Sequence, residues 1–304
     1  MAAGTGTPGQ VSGPRDVAPA IPVDPAVAHP ARVYNYWLGG KDHYLADRSA
    51  GDAVKRHRPQ VVAGARANRA FLARVVRFLA ADCGIRQFLD IGTGLPAPDS
   101  THEVAQRVAP DCAVAYVDND PLVLVYARAL LTSTQQGRCG YIDADLRDPA
   151  AILAQASGTL DFTRPIAVLL LAVLHFLPDA DDPAGIIATL ARALAPGSYL
   201  VISHLTADFA PAQVSAGAAA YNTLVSTAVV PRTHARVSAL FGGLPLVPPG
   251  VVPVREWRPV AVGPTPRAAD LYAGVARTPP RTPPPRTPAP RTPASTTRPG
   301  LPGG

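Results

Sequence analysis

The 304-residue chain predicts an open α/β fold, a parallel sheet with helices on both faces. Three observations carry this. Strand-like and helix-like segments alternate from residue 85 to residue 202. Asp-Pro opens three of the helical segments, at Asp120, Asp148 and Asp182. In each pair the acid can cap free amides and the proline suits the first helical position. Residues 166–171 are continuously apolar, as expected of a strand buried on both faces.

Each element follows from local pattern. Residues 68–79 put Phe71, Leu72, Val75, Val76 and Leu79 on one helical face. Residues 85–91 form the first strand and run into Gly92. Ser100 and Glu103 have capping-box spacing and open a helix to about residue 108. Residues 113–117 are the second strand, and the helix from Pro121 extends to about residue 131. Residues 140–143 are the third strand, followed by a helix from Pro149. After the fourth strand, Ile186, Ile187, Leu190 and Leu194 recur at helical spacing. Pro196-Gly197 ends that helix, and residues 199–202 are the fifth strand. Beyond Ser203 the pattern predicts helices over 210–230 and 233–241, then closing strands over 244–254 and 270–276.

Composition bounds the class. Hydrophobic residues are 47% and charged residues 16%, which excludes a highly charged disordered chain. The net charge of +6 suggests an acidic partner until its location is considered. Residues 277–304 hold five arginines and no acid, so the middle of the chain is nearly neutral. No basic stripe marks a nucleic-acid reader. Proline-rich ends predict a disordered extension over 1–30 and a disordered Arg-Thr-Pro repeat tail over 278–304, flanking one domain over 31–277. Three isolated cysteines and the lack of a secretory leader point to the cytoplasm. The longest apolar run, 166–177, is too short to span a bilayer.

The candidate site lies where the strands end. The first strand runs into Asp90-Ile91-Gly92-Thr93-Gly94, whose glycines permit a sharp turn and close backbone approach. The third glycine of a dinucleotide fingerprint is missing, because Pro96 and Ala97 follow. This disfavours a nicotinamide-dependent oxidoreductase. Asp118, with Asn119 beside it, closes the second strand, 24 residues after Gly94, where a carboxylate can take both hydroxyls of a ribose. Asp120 reads as a helix cap. Asp143, Ala144 and Asp145 close the third strand; one of the acids meets an adenine amino group, or both are solvated loop acids. An acidic, phosphate-poor site of this kind suits S-adenosylmethionine, which carries a ribose, an adenine and a cationic sulfonium. Asp90 can face that charge or the amino group of the methionine part.

These motifs resemble an actinobacterial family of S-adenosylmethionine-dependent methyltransferases of unknown substrate. The likeness rests on YNYWLGGKD from Tyr34, FLDIGTGLP from Phe88, YVDNDP from Tyr116, DADLRDP from Asp143, AVLHF from Ala172 and PVREW from Pro253. It spans about residues 30–277. The resemblance implies a class I, Rossmann-like sheet: mostly parallel, seven-stranded, with an antiparallel closing strand. It also implies methyl transfer to an acceptor, for which a small molecule is the expectation. Ser100 stands where the family usually has Asn, and the loop 97–99 is irregular.

Residues 31–67 form a lid in one reading, with Gly39-Gly40 as a hinge and Arg32, Tyr36, Gly40, Lys41 and Asp42 toward the ligand. In the other, Tyr34, Trp37 and Leu38 are core residues of a packed helix. Arg66 and Asn68 anchor the lid or lie, like Arg69, on a solvated face. His175 follows the fourth strand and is the candidate general base, or a structural histidine. No two histidines have metal-ligand spacing. A non-catalytic cofactor-binding protein stays open on sequence alone.

Overall fold

The computed structural model describes residues 23–130, 132–259 and 269–279. Seven strands form one sheet in the order β3-β2-β1-β4-β5-β7-β6. The parallel part comprises β1 (Gln87–Ile91), β2 (Ala113–Asp118), β3 (Arg138–Asp143), β4 (Ala167–Leu171) and β5 (Tyr199–Leu205). β7 (Leu271–Arg277) runs antiparallel between β5 and the two-residue β6 (Val252–Pro253). The mostly parallel seven-stranded sheet with one antiparallel closing strand is therefore as expected. Because β1 pairs with both β2 and β4, the chain direction across the sheet reverses there. A crevice opens beyond the carboxyl ends at such a switch point.

Three helices precede the sheet: α1 (Pro30–Leu38), α2 (Leu45–His57) and α3 (Val61–Ala81). The crossovers are α4 (Thr101–Val108), α5 (Pro121–Leu130), α6 (Pro149–Ala156) and α7 (Pro183–Ala193). α8 (Pro211–Asn222) and α9 (His234–Ala239) lie between β5 and β6. The caps form as the sequence predicts. Asp148 accepts from the Ala151 amide and Asp182 from the Gly185 amide. Ser100 and Glu103 complete their capping box.

Alternation along the strands builds two cores. Leu89, Val168, Leu170 and Ile202 face Ile152 of α6 and Ile187 and Leu190 of α7. Phe88, Val114, Leu169 and Val201 face Phe71, Val75 and Leu79 of α3. Trp257 is wholly buried on the second side, edge-on to Phe71 at 5.4 Å and Phe78 at 5.7 Å.

Four expectations need correction. The strand over 244–254 shrinks to Val252–Pro253 plus a lone bridge from Leu246 to Ala276, because the prolines at 245, 248 and 249 lack the amide a ladder needs. The helix over 210–230 stops at Asn222, whose side chain bonds both backbone groups of Val229 and folds the chain back. Residues 23–30 are not loose: Ala28 bridges to Val225, and the His29 amide donates to Asp47 Oδ1 at 2.9 Å. Thr278 is likewise part of the fold, bonded to Ser198 and Ala195. The expectations for residues 1–22 and 280–304 lie outside the described residues. No helix among the described residues is long and apolar enough to cross a membrane.

Trp257→Ala is expected to cost about 3–5 kcal/mol of stability, the usual range for emptying a large aromatic site. Urea unfolding followed by circular dichroism measures it.

Candidate functional site

A single cleft runs across the switch point. Its floor is the loops after β1, β2, β3 and β4, and its roof is α1, the start of α3 and one side of α8. The space in the cleft and before its open mouth, solvent included, is about 1630 Å³.

At one end, β1 and β2 are locked together by backbone geometry. The Gly92 and Thr93 amides both donate to the Val117 carbonyl, at 2.8 and 3.2 Å. Gly92 and Gly94 have φ of 74° and 68°, a region that favours glycine. A Cβ on Gly92 would also press into Val173 at 2.5 Å. The Gly94 amide donates to Asp118 Oδ2 at 2.8 Å, and the Asp120 amide donates to Asp118 Oδ1 at 3.0 Å. Each Asp118 oxygen keeps a further lone pair. Burial raises the Asp118 carboxyl above its ordinary range, partly offset by these two amides.

Asp90 lies beside this turn and accepts from Thr101 Oγ1 at 2.6 Å. Burial pushes its carboxyl up to about 6, against the pull of Thr101 and Arg69. Arg69 lines the cleft and ties down the irregular loop, donating to the carbonyls of Ala97, Pro98 and Asp99. Asn119 donates to Asp145 Oδ2 at 3.0 Å and joins the ends of β2 and β3.

Asp120 fixes the roof. Its Oδ1 accepts from the Leu122 amide, which caps α5. Its Oδ2 lies 3.2 Å from Arg32 Nε and 3.0 Å from His29 Nδ1, both of the α1 segment. Burial works against its charge, but His29 and Arg32 hold the carboxyl below the ordinary range. Arg32 also donates to the Asp24 and Val27 carbonyls and lies 3.7 Å from buried Asp47. α1 then presents His29, Val33, Tyr34 and Trp37 to the cleft.

The other end is built around β4 and β5. Asn68 accepts from Ser203 Oγ at 2.6 Å and donates to Tyr34 Oη at 3.2 Å, so its amide is held from two sides. His175 sits in the turn after β4, and the Leu205 amide donates to its Nδ1 at 3.4 Å. The ring proton therefore sits on Nε2. Burial, with His204, Arg58 and Arg232 nearby, drives its pKa well below the ordinary value. Arg58, at the end of α2, donates from Nε to Asp270 at 2.7 Å and lines the cleft. Tyr221 of α8 also lines it.

The model for the family described as S-adenosyl methyltransferase matches residues 17–279, most of the chain. The chain belongs to the S-adenosyl methyltransferase family. Two solved structures share the fold over nearly their whole length. A DUF574 family protein from Streptomyces avermitilis is 47% identical with a TM-score of 0.80, covering 83% of this chain and 98% of its own. A candidate methyltransferase from Thermobifida fusca is 40% identical with a TM-score of 0.78, covering 87% of this chain and 100% of its own. None of the proteins of curated function matches this chain.

The methyltransferase cofactor is S-adenosylmethionine, and the residues present fit it. Buried carboxylates with free lone pairs suit hydroxyl and cationic groups. A Cβ on Gly94 would meet nothing within 4 Å, so the backbone there is open to close approach. Of the sequence-predicted residues, the cleft gathers Asp90, Gly92, Thr93, Gly94, Asp118, Asn119, Ala144, Asp145 and His175. Asp143 is exposed and does not line it. Tyr36, Gly40 and Lys41 do not line it either. Tyr36 Oη turns away to Asp52 at 2.7 Å, Gly40 packs on Asn35, and Lys41 is exposed. Gly39 is the left-handed cap of α1. Arg66 is exposed, whereas Asn68 holds Tyr34. His175 offers a donor and no free lone pair, so the geometry does not support a general base there. Arg58 and Tyr221 were missed, because no local motif marks them, and Tyr34 and Trp37, inside the YNYWLGGKD motif, line the cleft although they were read as core.

The folded methyltransferase keeps a proton on Asp90 between 3.8, the ordinary value, and about 6, where the unfolded chain has released it. Stability of the ligand-free protein therefore falls as pH rises through that window. Asp90→Asn is expected to gain stability relative to the parent between about pH 4 and 6 and to level off above, measured by urea unfolding across pH.

Proposed function

We propose that this methyltransferase binds its cofactor over β1–β3 and methylates a small molecule held over β4 and β5. The single observation behind this reading is the continuity of the cleft from Asp118 to His175 under one roof. β2 and β5 stand three strands apart, roughly 14 Å at ordinary sheet spacing. That leaves room for a cofactor and an acceptor side by side. The roof of α1 and α8 favours a small acceptor over a macromolecular one.

Asp118 takes the ribose hydroxyls on its free lone pairs, with Gly92, Thr93 and Gly94 letting the backbone lie against the cofactor. Ala144, Asp145 and Asn119 border the adenine. Asp90, ionised above about pH 6, faces the cationic methionine part. Residues 31–67 act as the cover, held down by Arg32 and His29 on Asp120. Bound S-adenosylmethionine supplies an electrophilic methyl group. The protein aligns the acceptor and excludes water, and such alignment can lower a barrier by about 7–11 kcal/mol. His175 orients the acceptor as a hydrogen-bond donor. Three free thiols, Cys83, Cys112 and Cys139, fit a reducing cytoplasm.

Calorimetry with S-adenosylhomocysteine tests the reading. Asp118→Asn is expected to weaken binding at least tenfold, or about 1.4 kcal/mol. Unchanged affinity would place the ribose elsewhere.

A further inference from the structure

Three polar groups meet at the far end of the cleft. Arg58 is 6% exposed, and among the described residues its only side-chain hydrogen bond is from Nε to Asp270. Its two terminal nitrogens have no partner among the described residues. They form the end-on edge of the guanidinium, the fork that matches a carboxylate bidentately. His175 is 8% exposed and carries its remaining proton on Nε2. Tyr221 is 3% exposed, and its hydroxyl is buried without a hydrogen-bond partner. A buried polar group left open in this way calls for a ligand or water.

The three are neighbours. The Arg58 side chain passes within 3.6 Å of where a Cβ would stand on Gly217, one turn before Tyr221 on α8. The Phe176 ring links the other two, 4.5 Å from His175 and 6.1 Å from Tyr221. Arg58 also helps to depress the His175 pKa, after burial and His204.

Carboxylates are confined to one end of the cleft, where Arg69 and Arg147 also line it. The carboxylates that line it, Asp90, Asp118 and Asp145, belong to the ends of β1, β2 and β3. Among the described residues lining the far end there is none. Its polar groups include one permanent cation, one neutral imidazole donor and the Tyr221 hydroxyl, with Asn68 and Thr227 also on the lining. Its walls include Trp37, Val61, Phe176, Val229 and Leu271. A neutral acceptor would leave the Arg58 fork desolvated and unused, and a cationic one would be repelled by it. A multiply charged phosphate would outmatch one arginine already shared with Asp270.

We propose that the methyl acceptor is a small carboxylate with a planar apolar body, its carboxylate paired with the Arg58 fork and its ring among Trp37, Phe176 and Tyr221. The Asp270 contact at Nε holds the guanidinium so that the fork faces the ligand. Tyr221 meets a second polar group on the acceptor. This rests on the far end of the cleft being the acceptor site.

The test uses the full chain saturated with S-adenosylhomocysteine. Binding of benzoate, 4-hydroxybenzoate and indole-3-acetate is measured by ligand-observed NMR against their neutral amides. At least one carboxylate is expected to bind ten-fold or more tightly than its amide. That preference should vanish in the Arg58→Gln/Asp270→Asn double variant, which removes both charges together and leaves neither buried alone. Arg58→Lys, which keeps the charge and loses the fork, should retain a preference reduced at least threefold. No preference in the parent, or a full preference in the double variant, overturns the proposal. Should the double variant no longer bind S-adenosylhomocysteine, Arg58→Lys decides alone, and an undiminished preference there overturns it. Failure of the parent to bind S-adenosylhomocysteine would instead undo the cofactor assignment on which the proposal rests.

Discussion

The carboxylate of Asp118 is the joint on which the site depends. It accepts from Gly94 in the turn after β1 and from Asp120 at the start of α5. Those bonds fix the turn against the end of β2, and they set the direction of Asp120. Asp120 in turn holds Arg32 and His29, and with them the helix that roofs the cleft. Two acids two positions apart thus divide the work: one shapes the floor and keeps lone pairs free, and the other anchors the roof through His29 and Arg32.

Spare hydrogen-bonding capacity separates ligand-facing groups from structural ones. Arg232 and His204 are as buried as any group near the cleft, yet both are fully engaged. Arg232 donates to the Leu174 and Leu177 carbonyls, to Asp179 and to His204 Nε2. His204 Nδ1 reaches the Leu205 carbonyl, and burial lowers its pKa to about 4. Such groups brace the turn after β4. Asp118, Arg58 and Tyr221 keep unfilled positions at comparable burial. Burial is costly for each of them, and in the proposed function a bound ligand offsets that cost.

Local chemistry was readable in sequence wherever it repeats at fixed spacing. The Asp-Pro starts of α5, α6 and α7, the Ser100 capping box and the glycine turn at Gly92 all formed where the pattern placed them. What failed depends on distant packing. Tyr36 and Tyr34 are two positions apart, so a helix turns them to opposite sides, and only the docking of α1 decides which meets the cleft. Arg58 takes its meaning from Asp270, 212 residues away, and no periodicity reports such a pairing. Asp143 and Ala144 are adjacent, but the last strand residue points outward and the next lines the cleft. His175 follows β4 and lines the cleft, and its tautomer turns on one backbone amide from β5.

The most direct measurement is a crystal structure with S-adenosylhomocysteine. Both ribose hydroxyls are expected within hydrogen-bond distance of the Asp118 carboxylate, with the Gly94 and Asp120 amides still bonded to it. The methionine part is expected over Asp90, and the space toward Arg58 should stay open. An adenosine seated over β4 and β5, or one that breaks the Asp118 bonds to Gly94 and Asp120, would contradict the arrangement.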